Sequence, residues 1–212
     1  MRAALIDYGS GNIASAAKAL SRAAADTSGH TIIVTADPDM VRKCERIILP
    51  GVGAFADCMR GLSAVPGMIE ALNESVIQNG RPILGICVGM QLMATAGREF
   101  GVHAGLNWIE GEVIPLSPAD PALKIPHMGW NEIDLMQNHP VFADLESSAN
   151  AYFVHSFEMK PTTPAHLLAT TDYGGAITAD IGRDNIVGTQ FHPEKSQDVG
   201  LKILGNFLSW SP

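Results

Sequence analysis

Between Met1 and Ala96 the chain alternates short, uninterrupted apolar runs with longer segments of helical composition, and that alternation leaves few folds open. The apolar runs are Ala3–Ile6, Thr31–Thr35, Arg46–Leu49 and Pro82–Ile86. Strands that are apolar throughout, rather than at every second position, belong to parallel sheets covered by helices on both faces. Ile13–Ala25, alanine-rich with Lys18, Leu20 and Arg22, predicts the first helix. Asp37-Pro38 predicts a second helix running to about Lys43, because proline suits a first turn. Met68–Asn79 predicts a third helix ended by Gly80, and Val88–Ala96 a fourth, directly behind the Pro82–Ile86 strand. Beyond Glu112 the pattern changes. Glu112–Leu116, Asn131–Leu135, Tyr152–Met159, His166–Thr171, Ala176–Ile181 and Ile186–Gln190 read as strands, Arg183-Asp184-Asn185 as a hairpin connection, and Leu201–Leu208 as a closing helix. No linker or repeat divides the chain. The expectation is one α/β domain over residues 1–212, with a mostly parallel central sheet and an additional antiparallel portion in the C-terminal half.

Composition removes several function classes. The net charge is −8, and the 14 Lys and Arg never form a dense run, so a nucleic-acid footprint and a polybasic membrane patch are both missing. Cys44, Cys58 and Cys87 show no paired spacing, which argues against a disulfide framework and for a reducing, cytoplasmic setting. The N-terminal apolar run is interrupted by Asp7, too early for a secretory signal. The His and Cys spacings do not suggest a zinc site, and no metal or other cofactor is expected.

Chemistry concentrates at Gly85-Ile86-Cys87-Val88-Gly89-Met90-Gln91. Small residues two positions before and after a nucleophile are the pattern of a nucleophile elbow, a tight strand-to-helix turn. A thiol there projects into the crevice beyond the strand ends, and the helix N-terminus favours its thiolate form. Cysteine is often just a small buried residue, and that reading suits Cys44 and Cys58, which lack flanking glycines. A thiol nucleophile needs a base and an orienting group for the base. His192-Pro193-Glu194 offers both: on extended backbone, side chains two apart point to one side. The competing reading is a solvated loop with a chance His–Glu neighbourhood. Oxyanion donors are sought at the amide after the nucleophile, Val88, and in the glycine turn Pro50-Gly51-Val52-Gly53, which ends a parallel strand on the same side. Gly9-Ser10-Gly11-Asn12-Ile13-Ala14 imitates a dinucleotide fingerprint but lacks the acidic residue about 20 positions on, so a plain tight turn is the better reading.

Taken together, these motifs resemble the triad (class I) glutamine amidotransferases. Asp7–Asn12, Pro50–Phe55, Gly85–Gln91, Pro126–Asn131, Tyr152–Phe157 and Gly188–Ser196 are similar, in order, to the glutaminase subunits of imidazole glycerol phosphate synthase, and His127-Met128-Gly129-Trp130-Asn131 is what points to histidine biosynthesis. The resemblance implies a flavodoxin-like class I glutamine amidotransferase fold. It implies hydrolysis of glutamine through a γ-glutamyl thioester on Cys87, with His192 and Glu194 completing the triad, and ammonia delivery to a (β/α)8-barrel synthase subunit in a heterodimer. It implies oxyanion donors at Val88 and Gly51-Val52, and glutamine contacts from Gln91, Gly53, Ser156 and Phe157. It implies a partner face carrying Asn12, Met128, Trp130, Tyr152 and Lys195. It also implies a Pro50–Gly53 turn that points its N–H away until the partner is liganded. Ser156-Phe157 departs from versions carrying Thr or Tyr, a change that backbone contacts to glutamine would survive. Glutaminase subunits serving anthranilate, guanylate or pyridoxal phosphate synthesis, a γ-glutamyl hydrolase or peptidase, and a non-catalytic subunit of the same fold are the alternatives.

Overall fold

A computed structural model describes residues 1–27, 29–146 and 149–212. The first half follows the expected alternation. Strand β1 (Arg2–Ile6) leads to helix α1 (Ile13–Asp26), β2 (Thr31–Thr35) to α2 (Pro38–Lys43), and β3 (Arg46–Gly51) to α3 (Phe55–Ala64) and α4 (Met68–Asn73). Strand β4 (Ile83–Cys87) then runs straight into α5 (Val88–Gln91). Caps start the helices where the sequence offers them: Asn12 accepts the Ser15 N–H at 3.3 Å, and Asp37 accepts the Asp39 N–H at 2.9 Å, next to Pro38. Helix α1 buries Ala16, Leu20, Ala23 and Ala24, one stripe at helical spacing.

After α5 come β5 (Ala94–Gly97), β6 (His103–Ala104), β7 (Ile109–Pro115), β8 (His127–Glu132) and β9 (Asp134–Leu135). Then follow β10 (Asn150–His155), β11 (Phe157–Pro161), β12 (Leu167–Asp172), β13 (Ala176–Arg183), β14 (Ile186–Thr189) and α6 (Gln197–Ser209). The main sheet has the order β2-β1-β3-β4-β14-β13-β12-β9. Its β2, β1, β3, β4 and β14 are mutually parallel, and β13, β12 and β9 extend it antiparallel. A four-stranded sheet, β11-β7-β5-β6, and a two-stranded ladder, β10-β8, complete the fold. The order 2-1-3-4 reverses direction between β1 and β3. Open α/β sheets bind ligands outside the carboxyl ends of strands at such a point. Residues after β1, β3, β4 and β14 therefore converge on one edge. Among the described residues no helix is long and apolar enough to cross a membrane.

Five expectations need correction. Val88–Ala96 is not one helix. Helix α5 stops at Gln91, and Ala94–Gly97 becomes a strand because it pairs with β7, with Gly97 lying so close to Phe55 that a Cβ would meet the ring at 2.6 Å. Tertiary pairing overrides the helical preference of alanine here. Helix α3 has no counterpart among the expected elements. Gly61 inside it depresses helix propensity, yet it lets the helix approach the Tyr8 carbonyl, where a Cβ would sit at 3.1 Å. Met68–Asn79 is helical only to Asn73 in the ordinary sense and widens into a π-type turn at Glu74–Gln78, where the Val76 carbonyl accepts the Asn185 side chain at 2.8 Å. Tyr152–Met159 is two strands broken at Ser156, because β10 belongs with β8 and β11 with β7. The expected Asn131–Leu135 strand likewise straddles a break at Ile133, between β8 and β9.

Candidate active site

Cys87 ends β4 and caps α5 with φ 53° and ψ −111°, a left-handed conformation that costs a non-glycine residue about 1–3 kcal/mol. The surrounding glycines explain how the chain reaches it. A Cβ on Gly85 would meet the Met90 backbone at 2.7 Å, one on Gly51 the Gly89 nitrogen at 2.7 Å, and one on Gly89 would collide with the Leu49 carbonyl. Strands β3 and β4 and the start of α5 thus approach one another more closely than side chains permit. The strain turns the sulfur towards the crevice beyond the sheet edge.

His192 follows β14, and its ring lines the same cavity as Cys87, near enough for the sulfur to act on its charge. On its other side Nδ1 bonds Glu194 Oε1 at 2.8 Å, both side chains being about 3% exposed. Glu194 does not lie on extended backbone as expected. Pro193–Lys195 forms a 3-10 turn, and only His192 is extended, with φ −100° and ψ 96°. The turn still carries the carboxylate back to the imidazole. The His192 backbone is held in turn: its N–H donates to the Tyr152 carbonyl at 3.0 Å and its carbonyl accepts Ser196 Oγ at 2.7 Å. Burial disfavours the imidazolium most, but the interactions with Cys87 and Glu194 together outweigh it and raise the His192 pKa to about 9. The ring is therefore protonated near neutrality.

The β1–α1 loop braces the glycine turn. Tyr8 Oη donates to the Pro50 carbonyl at 2.7 Å, and Ser10 Oγ donates to the Val52 carbonyl at 2.8 Å while accepting the Val52 N–H at 3.2 Å. Cys58 Sγ lies 3.1 Å from the same hydroxyl. Val52 lines the same cavity as Cys87, but its N–H is engaged by Ser10. Gly51 is buried and Val52 and Gly53 are exposed.

A cavity of about 530 Å³ opens over Cys87. Val52, Gly53, Val88, Gln91, Ser156, Phe157 and His192 line it, as do Asn12 and Lys195 from the mouth. Val88 joins the lining as the first residue of α5. Three residues that the motifs do not single out are here too. Gln190, fully buried, accepts Gln91 Nε2 at 3.0 Å and turns its own Nε2 to the Cys87 sulfur at 3.7 Å. Its place two residues before His192 was the available signal. Glu99 reaches the cavity from the loop after β5 and accepts the Phe55 N–H at 2.8 Å, and His155 reaches it from the end of β10. Nothing local in the sequence marks Glu99, whereas His155 lies inside the Tyr152–Phe157 motif. Outside the mouth, exposed Met128 and Trp130 share one face of β8. Tyr152 meets Trp130 edge to face at 6.0 Å, with Lys195 Nζ 5.7 Å from the Tyr152 ring centre.

A family model for class-I glutamine amidotransferases matches residues 4–209. The chain is 58% identical over 214 residues to a Rhodospirillum rubrum protein named imidazole glycerol phosphate synthase subunit HisH, covering 100% of both chains. Proteins of the same name from Zymomonas mobilis (54% identity, 99% of this chain and 96% of that one) and Brucella suis (54%, 100% of both) match similarly. Among solved structures, one described as a putative GMP synthase subunit from Thermoplasma acidophilum superposes with a TM-score of 0.69 at 20% identity, covering 99% of this chain and 92% of that one. Another, described as a glutamine amidotransferase, reaches 0.72 at 14% identity over 98% and 99%. At such identities the two structures bear on the fold alone.

Proposed function

The chain belongs to the class-I glutamine amidotransferase family, and from that premise we propose that Cys87, His192 and Glu194 are the triad with which it hydrolyses glutamine. Its function is that of the glutaminase subunit of an imidazole glycerol phosphate synthase in histidine biosynthesis. Residues 1–212 act as a single glutamine amidotransferase domain.

The observation that carries the reading is the buried His192 ring, hydrogen-bonded to Glu194 and sharing one cavity with the Cys87 sulfur, which acts on its charge. The thiolate attacks the γ-carboxamide carbon of glutamine. The oxyanion that forms is held by the Val88 N–H and by the N–H of Val52, once the Gly51-Val52 turn lets go of Ser10. The His192 imidazolium gives its proton to the leaving nitrogen, and ammonia departs, leaving the γ-glutamyl thioester. Neutral His192 then takes a proton from water, hydroxide adds to the thioester, and glutamate leaves with the thiolate restored. Glu194 holds the imidazole in one orientation and stabilises its cation. Gln91, Gly53, Ser156 and Phe157 seat the amino-acid end of glutamine, with the Glu99 carboxylate placed for the α-ammonium. The partner is a (β/α)8-barrel synthase subunit in the cytoplasm. It docks over Asn12, Met128, Trp130, Tyr152 and Lys195, so that ammonia is released beside the interface. Whole-length likeness to subunits named for imidazole glycerol phosphate synthase supports this partner over the anthranilate, guanylate and pyridoxal phosphate systems.

In the reconstituted complex Cys87→Ala should abolish glutamine-driven synthesis and leave ammonia-driven synthesis intact. A Cys87→Ala complex that still hydrolyses glutamine would show that another group is the nucleophile.

A further inference from the structure

A buried chain of hydrogen bonds, outside the triad, joins strand β8 to the glutamine pocket, and every proton in it is assignable. His127 and His155 face each other at the end of the β8–β10 ladder, His127 Nδ1 lying 3.0 Å from His155 Nε2. His155 Nδ1 is 2.8 Å from the Phe157 carbonyl, which can only accept, so Nδ1 carries the hydrogen. Burial lowers the pKa of both rings to about 4, so each is neutral and holds a single N–H. His155 Nε2 is therefore bare and must accept, which makes His127 Nδ1 the donor and leaves His127 Nε2 bare as well. Asn131 Nδ2 stands 3.3 Å from that nitrogen and also donates to the Asp172 carbonyl at 2.7 Å, while its Oδ1 accepts the Glu132 N–H at 2.9 Å, which fixes the amide's orientation. The direction runs from Asn131 to His127 to His155 to the Phe157 carbonyl. There it meets a second donor, Gln91 Nε2 at 3.3 Å, whose other bond goes to Gln190.

The carbonyl at the end of this chain sits just past Ser156, where the backbone leaves the β10–β8 ladder for the β11–β7 sheet. At the crossing the Ser156 carbonyl accepts the Leu116 N–H at 2.9 Å, and the segment forms one wall of the cavity. We propose that His127 and His155, with Asn131 setting their tautomers, are positioning residues that hold the Ser156-Phe157 crossing in the shape that binds glutamine. Neither histidine takes part in proton transfer. Stacking of His127 between Phe153 at 4.9 Å and Tyr173 at 4.0 Å keeps its ring from rotating out of the chain. Because Met128 and Trp130 occupy the same strand as His127 and Asn131, the network also ties the proposed docking strand to the pocket wall. The proposal rests on the reading of Ser156 and Phe157 as glutamine contacts.

The test measures glutamine hydrolysis in the complex with the synthase partner for wild type, Cys87→Ala, His127→Leu, His127→Asn and Asn131→Leu. Losing one buried link of the chain should raise KM for glutamine about tenfold in His127→Leu and about fivefold in Asn131→Leu, with kcat held within about threefold. His127→Asn, whose amide N–H takes the place of Nδ1–H, should return KM to within about twofold of wild type. A general packing role would not be rescued by the smaller asparagine. Asn131 is half-buried, so Asn131→Leu remains readable if His127→Leu does not fold. Unchanged KM in both leucine variants, or a fall in kcat alone, overturns the positioning role. Activity surviving in Cys87→Ala would instead overturn the nucleophile assignment, whatever the histidine variants show.

Discussion

At the scale of single residues, the site depends on what each side chain is bonded to. His192 would be neutral in a buried pocket without Cys87 and Glu194, because burial is the largest influence on it and acts downward. Glu194→Gln removes the carboxylate, so NMR titration of His192 should show its pKa falling from about 9, and kcat for glutamine hydrolysis should drop about 10²-fold or more. The raised value also bears on stability. A histidine raised in the folded state contributes stability that is complete below its unfolded pKa of about 6.5 and disappears as pH rises through about 9. Thermal melts between pH 6.5 and 9.5 should therefore show a steeper decline for wild type than for Glu194→Gln. Ser10 is the counterpart on the proposed oxyanion side, since its hydroxyl occupies the Val52 N–H. Deleting a bond of about 1 kcal/mol in Ser10→Ala should raise glutaminase activity of the partner-free chain roughly fivefold. A Ser10→Ala chain no more active than wild type would remove Ser10 from the proposed resting arrangement.

Elements set how closely the reacting groups can approach. The elbow works because β3, β4 and α5 touch through glycine, and Gly89 is the tightest point, against the Leu49 carbonyl. Gly89→Ala must push backbone against backbone. Its expected cost is about 3 kcal/mol or more, read as a lower denaturation midpoint together with lost activity. Strand β13 shows the opposite case. Asp180 is fully buried, and neither carboxylate oxygen has a hydrogen-bond partner among the described residues. Burial raises its pKa well above the ordinary carboxylate range. The sign is clear: the unfolded chain ionises Asp180 above about pH 4 while the folded chain keeps it neutral, so folding is penalised increasingly as pH rises. Asp180→Val should therefore raise Tm by several degrees at pH 7, following from about 1–3 kcal/mol, and by less at pH 4.

For the whole molecule, the main sheet brings Cys87 and the segment carrying His192 to one edge, and the ladder of β8 and β10 places the surface around it. Trp130, half-exposed and edge-on to Tyr152, has the character of an interface anchor. Trp130→Ala should weaken binding of the synthase partner by about 2 kcal/mol, roughly 30-fold in Kd by titration calorimetry, and leave the melting of the isolated chain nearly unchanged. Equal binding by wild type and variant would move the docking face elsewhere.

The strand–helix alternation, the glycine frame of Cys87 and the His-Pro-Glu triplet were legible in the residues because each is local. A strand buried on both faces, a tight turn and a side-chain pair two positions apart leave their pattern within a few residues. Helix α3 and the early end of α5 were not legible, since Gly61 and the alanines at 94 and 96 take their conformation from Tyr8 and from β7, partners distant in sequence. The same holds for Gln190 beside the sulfur, Ser10 on the Val52 amide, and the chain from Asn131 to Phe157. Sequence determined the backbone period, the turn geometry and the kinds of chemical group present. Only the tertiary structure decided which groups share hydrogen bonds and which lose their water, because both depend on what the folded chain brings within about 3 Å.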